Sequence, residues 1–304
     1  MHDVFQPTDR PPVELPPGYR WFAAADGWLA VWEEREQELT SAGFGVSTDA
    51  VSRTSELSGR RALHEIELPG GPLVLRRFQH GGVLGGFTRD RYLSPARPFQ
   101  ELVLSEQLRV AGFLTPRVVA ARAQRARHLG WRLELLTERV KGACDLGFVI
   151  AEARAGRLAD RDRIALTRES GRLIARLHGV GFLHADLQPA NLLWQAQESP
   201  SDGHAPPRLW VLDLDGSSWR HPLSQSERSA NLRRLWRHIE RRDRDLGPAL
   251  TRSDRARFLN AYDPIACRQL GQSIESARSR REPLHRLGHL LGGRKRIERD
   301  PRSR

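Results

Sequence analysis

Apolar positions fall into short runs over the first half of the chain and recur at helical intervals over the second. Residues 1–18 carry Pro7, Pro11, Pro12, Pro16 and Pro17. Proline removes backbone donors and opposes helix, so a loose lead-in is expected there. From Phe22 to Leu39, Trp28, Val31, Trp32 and Leu39 recur at roughly helical spacing and predict a helix. Ala62 to Leu68 alternates in part, Pro69-Gly70-Gly71-Pro72 is a turn, and Leu73 to Phe78 is a strand ending in basic residues. Pro98 to Ala111 predicts a helix with Phe99, Leu102, Leu104 and Leu108 apolar, closed by Gly112 and Pro116. Val118-Val119-Ala120 and Trp131 to Leu136 read as a further hairpin. Beyond it, Arg163 to Val180 predicts a helix with Gly181 at its stop, and Leu223 to Arg242 and Arg252 to Tyr262 predict two more. Residues 195–208, with Pro200, Gly203, Pro206 and Pro207, read as a surface loop between two strands. Arg278 to Arg304 is dominated by arginine, and the chain shows no internal repeat.

The net charge of +12 narrows the partners of this 304-residue chain to anionic ones: a phosphorylated substrate, an acidic membrane face or nucleic acid. At 39% hydrophobic residues a packed core is feasible. The basic residues are nearly all arginine, and the only lysines are Lys141 and Lys295. Cys144 and Cys267 suit neither a metal site nor a disulfide framework. Met1 to Pro7 lacks the pattern of a secretory signal, and no apolar stretch approaches a membrane span. A cytoplasmic protein, free or peripherally bound, is the expectation.

One stretch carries specific chemistry. His184-Ala185-Asp186-Leu187-Gln188-Pro189-Ala190-Asn191 has the H-x-D-L-x-x-x-N spacing of the catalytic loop in the protein-kinase-like fold. Such a loop supplies a carboxylate to take the proton of an attacking hydroxyl and an amide oxygen to ligate magnesium on ATP. Asp186 is the catalytic base on this reading, although a lone aspartate here would more often cap a helix or close a turn. His184 is a packing residue. Asn191 and Asp213 are the magnesium ligands, since a hard ion takes oxygen donors and retains waters. Asp213 ends the apolar run Leu209-Trp210-Val211-Leu212, and the long separation of the two ligands follows from the insert at 195–208. Asp215, on the same side of an extended chain as Asp213, is either a further metal ligand or a solvated turn residue.

A kinase also needs a strand cation for the phosphates and a helix carboxylate to hold it. With no lysine in the first 140 residues, Arg76 takes the position, Arg77 being second choice because it faces the other way. An ordinary strand-end arginine fits the sequence as well. Arginine keeps its charge and binds phosphate in a fork, so this is not a silent exchange for lysine. Glu101 is the expected partner, with Glu106 the alternative off the inward stripe. Gly59, in Ser58-Gly59-Arg60-Arg61, is what remains of a phosphate-covering glycine loop. Glu138, in Leu135 to Val140, lies at the expected interlobe hinge whose backbone meets adenine.

These residues, with Val74-Leu75-Arg76-Arg77-Phe78 before His80-Gly81-Gly82, resemble the lipopolysaccharide kinases, and most the branch acting on 3-deoxy-D-manno-octulosonic acid (Kdo). Asp90-Arg91-Tyr92-Leu93, Arg97-Pro98-Phe99-Gln100-Glu101, Leu136-Thr137-Glu138-Arg139 and Asn231-Leu232-Arg233-Arg234-Leu235 add to the likeness, which spans roughly residues 55 to 240. It implies an α+β, two-lobed protein-kinase-like fold: a small N-terminal antiparallel sheet lobe with one helix, and a larger, mainly helical C-terminal lobe. The expected divisions are an N-terminal extension at 1–49, an N-lobe at 50–136, a C-lobe at 137–280 and a basic tail at 281–304. It further implies ATP- and Mg2+-dependent phosphorylation of a Kdo hydroxyl, the 4-position, on Kdo-lipid A at the cytoplasmic face of the inner membrane. Peripheral association with that anionic face suits the charge, and residues 81–89 are a candidate substrate- or membrane-facing loop. A core heptose kinase or another small-molecule phosphotransferase is the alternative. Protein kinases are disfavoured by Gln188 and by the short span after Asp213, aminoglycoside-type enzymes by the basic charge, and single-stranded nucleic acid by the lack of aromatics in the basic tail.

Overall fold

The structure is a computed structural model. It describes residues 11–24, 27–44, 55–57, 63–79, 91–126, 130–197, 207–269 and 271–272. Gly59, the 81–89 segment, the middle of the 195–208 insert and the basic tail lie outside the described residues.

The first half builds a seven-stranded antiparallel sheet from β1 (Tyr19–Ala24), β2 (Gly27–Trp32), β3 (Ser55–Leu57), β4 (Leu63–Ile66), β5 (Leu73–Arg77), β6 (Val118–Arg125) and β7 (Trp131–Glu138). Their spatial order is β1-β2-β6-β7-β5-β4-β3. Among the described residues two helices accompany it, the short α1 (Glu36–Ser41) and α2 (Arg97–Val110).

Both faces of this sheet are buried. Trp28, Ala30, Leu133 and Leu135 pack with Phe99 and Leu102 of α2 on one side. Their strand neighbours Leu29, Val31 and Leu136 pack with Leu39 and Phe44 on the other. Successive residues of a strand point to opposite faces, so a strand covered on both sides reads as an unbroken apolar run. That corrects the expectation for Phe22 to Leu39: Gly27 to Trp32 is a strand, and only Glu36–Ser41 is α-helical. It also corrects the division at residue 49, because β1 and β2 belong to the sheet, β2 pairing with β6. The register of β6 on β7 shifts between Val118 and Ala120. A bulge there puts Val119 and Ala120 together on one face and Val118 and Ala121 on the other.

The second half comprises α3 (Leu146–Arg154), α4 (Asp160–Gly179), α5 (Gln225–Leu246) and α6 (Arg252–Tyr262) around one core. Between them run short strands: β8 (Ala143–Asp145), β9 (Phe182–Leu183), β10 (Leu192–Gln195), β11 (Arg208–Val211) and β12 (Ser218–Trp219). β8, β10 and β11 form one small sheet, and β9 pairs with β12. Sequence signals fix the helix ends. Ser224 and Glu227 form a capping box on α5, and Thr251 and Asp254 form one on α6. Gly181, just past α4, has φ +82, and a Cβ there would sit 2.6 Å from the Arg220 carbonyl oxygen. Only glycine turns the chain so sharply from α4 into β9, and β9 opens directly onto His184.

Candidate active site

Short strands deliver the catalytic-loop residues. β9 ends at Leu183, a 3-10 turn spans Pro189–Asn191, β10 pairs with β11, and Asp213 follows β11. Leu212 ties these pieces together. Its N–H donates to the Asn191 carbonyl at 2.9 Å, and its carbonyl accepts from His184 Nε2 at 2.9 Å. The next residue, Asp213, has φ +54. An aspartate tolerates that left-handed conformation better than most residues, but it persists only where the surroundings impose it. The clamp on Leu212 does so.

His184 is buried and accepts at Nδ1 from the Asp186 N–H at 3.1 Å, so its proton sits on Nε2. Burial pushes its pKa below the usual 6.5 and keeps it neutral. It positions the loop, as its packing role implied. A chain of hydrogen bonds holds it from behind. Tyr262 and His178 Nδ1 lie 2.7 Å apart, His178 Nε2 and Asn231 Oδ1 3.0 Å, and Asn231 Nδ2 donates to the His184 carbonyl at 2.7 Å. The Tyr262 phenol, pushed up to about 12 by burial, stays protonated and donates. His178 is therefore neutral with its proton on Nε2, and burial lowers its pKa too.

Two buried neutral imidazoles make stability pH-dependent in a definite sense. Below about 6.5 the unfolded chain takes up protons that the folded chain refuses, so stability is complete above that value and falls as pH drops. The raised Glu101 carboxyl acts oppositely, so a difference measurement isolates one histidine. The stability gap between the native protein and His178→Gln, read from urea unfolding, should narrow from pH 7.5 to 5.5. A constant gap would show that His178 is not held neutral.

Asp186 is half-exposed, its side chain 42% accessible. Its Oδ2 accepts from Gln188 Nε2 at 2.6 Å, and its Oδ1 lies 3.3 Å from Arg234 Nη1. Asn191 donates its amide N–H to the Asp186 carbonyl at 2.9 Å, which turns its side-chain oxygen to other partners. Asn191 and Asp213 thus offer the hard oxygen donors that magnesium accepts, and fit an ion completed by phosphates and water. Among the described residues no cluster of three His, Cys, Asp or Glu side chains could hold a metal unaided.

From the sheet, Arg76 on β5 bridges Glu101 on α2 and Asp213. Its guanidinium also stacks 4.6 Å from the Phe78 ring centroid. Burial pulls the Arg76 pKa down, but Glu101 and Asp213 raise it by more, and the cation persists. Burial raises the Glu101 carboxyl, Arg76 opposing and Asp213 and Asp215 adding to it. The other Glu101 oxygen accepts from the Leu214 N–H at 3.2 Å. Arg77 turns to the opposite face and pairs with Glu134 at 2.9 Å, directly across the ladder. Glu106 accepts instead from the Tyr19 hydroxyl at 3.0 Å. Arg76 and Glu101 thus form the strand–helix ion pair, and Arg77 and Glu106 are engaged elsewhere.

Both carboxylate oxygens of Asp215 are held by Arg97 of α2. Asp215 thus anchors this turn to α2 and is not a solvated turn residue. Arg97 belonged to a recognised motif, but its partner 118 positions away left no local signal. At the hinge, the Glu138 N–H donates to the Arg117 carbonyl at 2.9 Å. Arg234 and Gln188, the two partners of Asp186, were likewise missed as site residues.

A family model described as "Lipopolysaccharide kinase (Kdo/WaaP) family" matches residues 46–262. Similar proteins include 3-deoxy-D-manno-octulosonic acid kinases. That of Stenotrophomonas maltophilia (strain K279a) is 33% identical over 209 residues, 67% of this chain and 76% of the relative. That of Vibrio vulnificus (strain YJ016) is 32% identical over 205 residues, 64% and 80%. That of Actinobacillus succinogenes is 29% identical over 249 residues, 77% and 95%. A solved structure described as "WaaP in complex with acyl carrier protein" superposes with a TM-score of 0.50 at 21% identity, covering 75% of this chain and 90% of that one. It shows the fold.

Proposed function

Because the chain belongs to the lipopolysaccharide kinase (Kdo/WaaP) family, we propose that it uses ATP to phosphorylate the 4-hydroxyl of Kdo on Kdo-lipid A during lipopolysaccharide core synthesis. What supports this reading is that the Arg76–Glu101 pair of the first half contacts Asp213 of the second, where Asn191 is held to Asp186. The named activity of the relatives supports the acceptor.

In this scheme the acceptor hydroxyl oxygen forms a bond to the γ-phosphorus as the bond from that phosphorus to the β-phosphate oxygen breaks. ADP leaves with the electron pair, and the hydroxyl proton passes to Asp186 and on to solvent. Arg76 holds the phosphate chain, with Glu101 aiming it. Asn191 and Asp213 would hold magnesium, which when bound neutralises phosphate charge. Gly59 would cover the phosphates by its backbone, and the Glu138 segment would border adenine. The net charge of +12 favours peripheral binding to an anionic membrane face. No helix among the described residues is long and apolar enough to cross a membrane.

The test incubates purified protein with Mg-ATP and Kdo-lipid A and reads the product by mass spectrometry. One phosphate on Kdo, lost with Asp186→Ala, is expected. Transfer instead to heptose-bearing core, to aminoglycosides or to casein-like proteins would reassign the acceptor.

A further inference from the structure

Arg234 holds a position that the scheme above does not use. It lies on α5 one turn beyond Asn231, whose amide is fixed to the His184 carbonyl at 2.7 Å. Its guanidinium is therefore held in register with the catalytic loop, 3.3 Å from Asp186 Oδ1. The Arg234 side chain is still 42% accessible, which leaves room for a second anion. A guanidinium has five N–H donors in a planar fork, and one contact to Asp186 leaves most of them unspent.

The surrounding charge has a direction. Residues at i, i+3, i+4 and i+7 share a helix face, which sets Arg237, His238 and Arg241 behind Arg234. Arg237 and Arg241 are exposed and have no acidic partner among the described residues. A cationic stripe thus starts at the proposed base and runs outward along α5.

We infer that Arg234 is a specificity-determining residue that binds a carboxylate of the acceptor, so that the enzyme selects a sugar acid whose acid group lies close to the hydroxyl being phosphorylated. This rests on the kinase reading above and deepens it. When Asp186 takes the acceptor hydroxyl, an acid group two ring atoms from that hydroxyl comes within reach of a guanidinium beside Asp186. Kdo has this arrangement, with its carboxylate on the anomeric carbon and the 4-hydroxyl two ring atoms along. The stripe beyond Arg234 would then face the more distant phosphates of the glycolipid. A neutral sugar with the same hydroxyl would leave Arg234 without its second partner, and discrimination would follow from that lost contact.

The test crosses enzyme and substrate changes. Native protein and Arg234→Gln are assayed on three acceptors: Kdo-lipid A, the same lipid with the Kdo carboxylate converted to its methylamide, and the lipid stripped of its lipid A phosphates. Arg234→Gln should lower kcat/KM on the intact acceptor by about 10- to 100-fold, chiefly through KM for acceptor. On the methylamide the loss should be at least about threefold smaller, what remains being the part that passes through the Asp186 contact, because that acceptor has already lost its carboxylate. The dephosphorylated lipid should remain sensitive to the substitution. Arg234→Lys should restore part of the loss on the acid acceptor only. Equal losses on all three acceptors would overturn the inference and leave Arg234 acting only through Asp186. Selective insensitivity of the dephosphorylated lipid would also overturn it, by assigning Arg234 to a lipid phosphate. No transfer by the native protein to any acceptor would instead bring down the kinase reading itself. Melting temperature and Mg-ATP affinity of Arg234→Gln, expected near native values, exclude misfolding.

Discussion

Asp186→Asn should lower kcat for phosphate transfer by about 10²- to 10⁴-fold while Mg-ATP binds with near-native affinity and the melting temperature barely moves. The reason is local. The Asp186 carboxylate is half-exposed, and its side-chain partners are Gln188 and Arg234, so little packing depends on its charge. Its backbone N–H and C=O, which hold His184 and Asn191, are retained in the variant. What is lost is a base that can take the hydroxyl proton. Rates and affinities from stopped-flow assays check this. A variant that retains a tenth or more of native kcat would remove Asp186 from the chemistry.

Arg76→Met should do two separable things. Arg76 and Glu101 side chains are only 12% and 5% accessible. Removing the guanidinium leaves Glu101 buried without its cation and takes one partner from Asp213, a loss of about 3–5 kcal/mol of stability by urea unfolding. Glu101→Gln added to Arg76→Met removes the orphaned charge and should recover much of that stability. Activity should stay about 100-fold or more below native in both, because the phosphates have lost their cation. Arg76→Lys belongs between them: one ammonium cannot reproduce a fork that reaches Glu101 and Asp213 at once. Activity returning along with stability in the double variant would show that Arg76 matters only for folding.

The legible parts of this protein were those encoded by local spacing. The octet from His184 to Asn191, the apolar run ending at Asp213, and Arg76 with Glu101 all carry their meaning within a few residues. The structure links Arg76 and Glu101 to Asp213, and Asn191 to Asp186, and strand alternation alone turns Arg76 and Arg77 to opposite faces. Helices α2, α4, α5 and α6 were also readable, because each has one apolar stripe and clear end signals. Strands β1 and β2 were not: burial on both faces erased their alternation, and Trp28, Val31 and Trp32 then imitated a helical stripe. The shift in β6 depends on its partner strand, which no local pattern encodes. The Arg97–Asp215 pair, the Arg234–Asp186 contact and the Tyr262–His178–Asn231–His184 chain all join distant segments. Each is a polar pair formed only after packing, and neither partner's neighbours announce it.

A crystal structure of the protein with magnesium and a non-hydrolysable ATP analogue tests the central claim most directly. The account predicts a metal bound by the side-chain oxygens of Asn191 and Asp213 at about 2.1 Å, Arg76 on the phosphates, and the terminal phosphoryl group facing Asp186. A nucleotide seated elsewhere, or a terminal phosphoryl group turned away from Asp186 with no metal on Asn191 and Asp213, would contradict it.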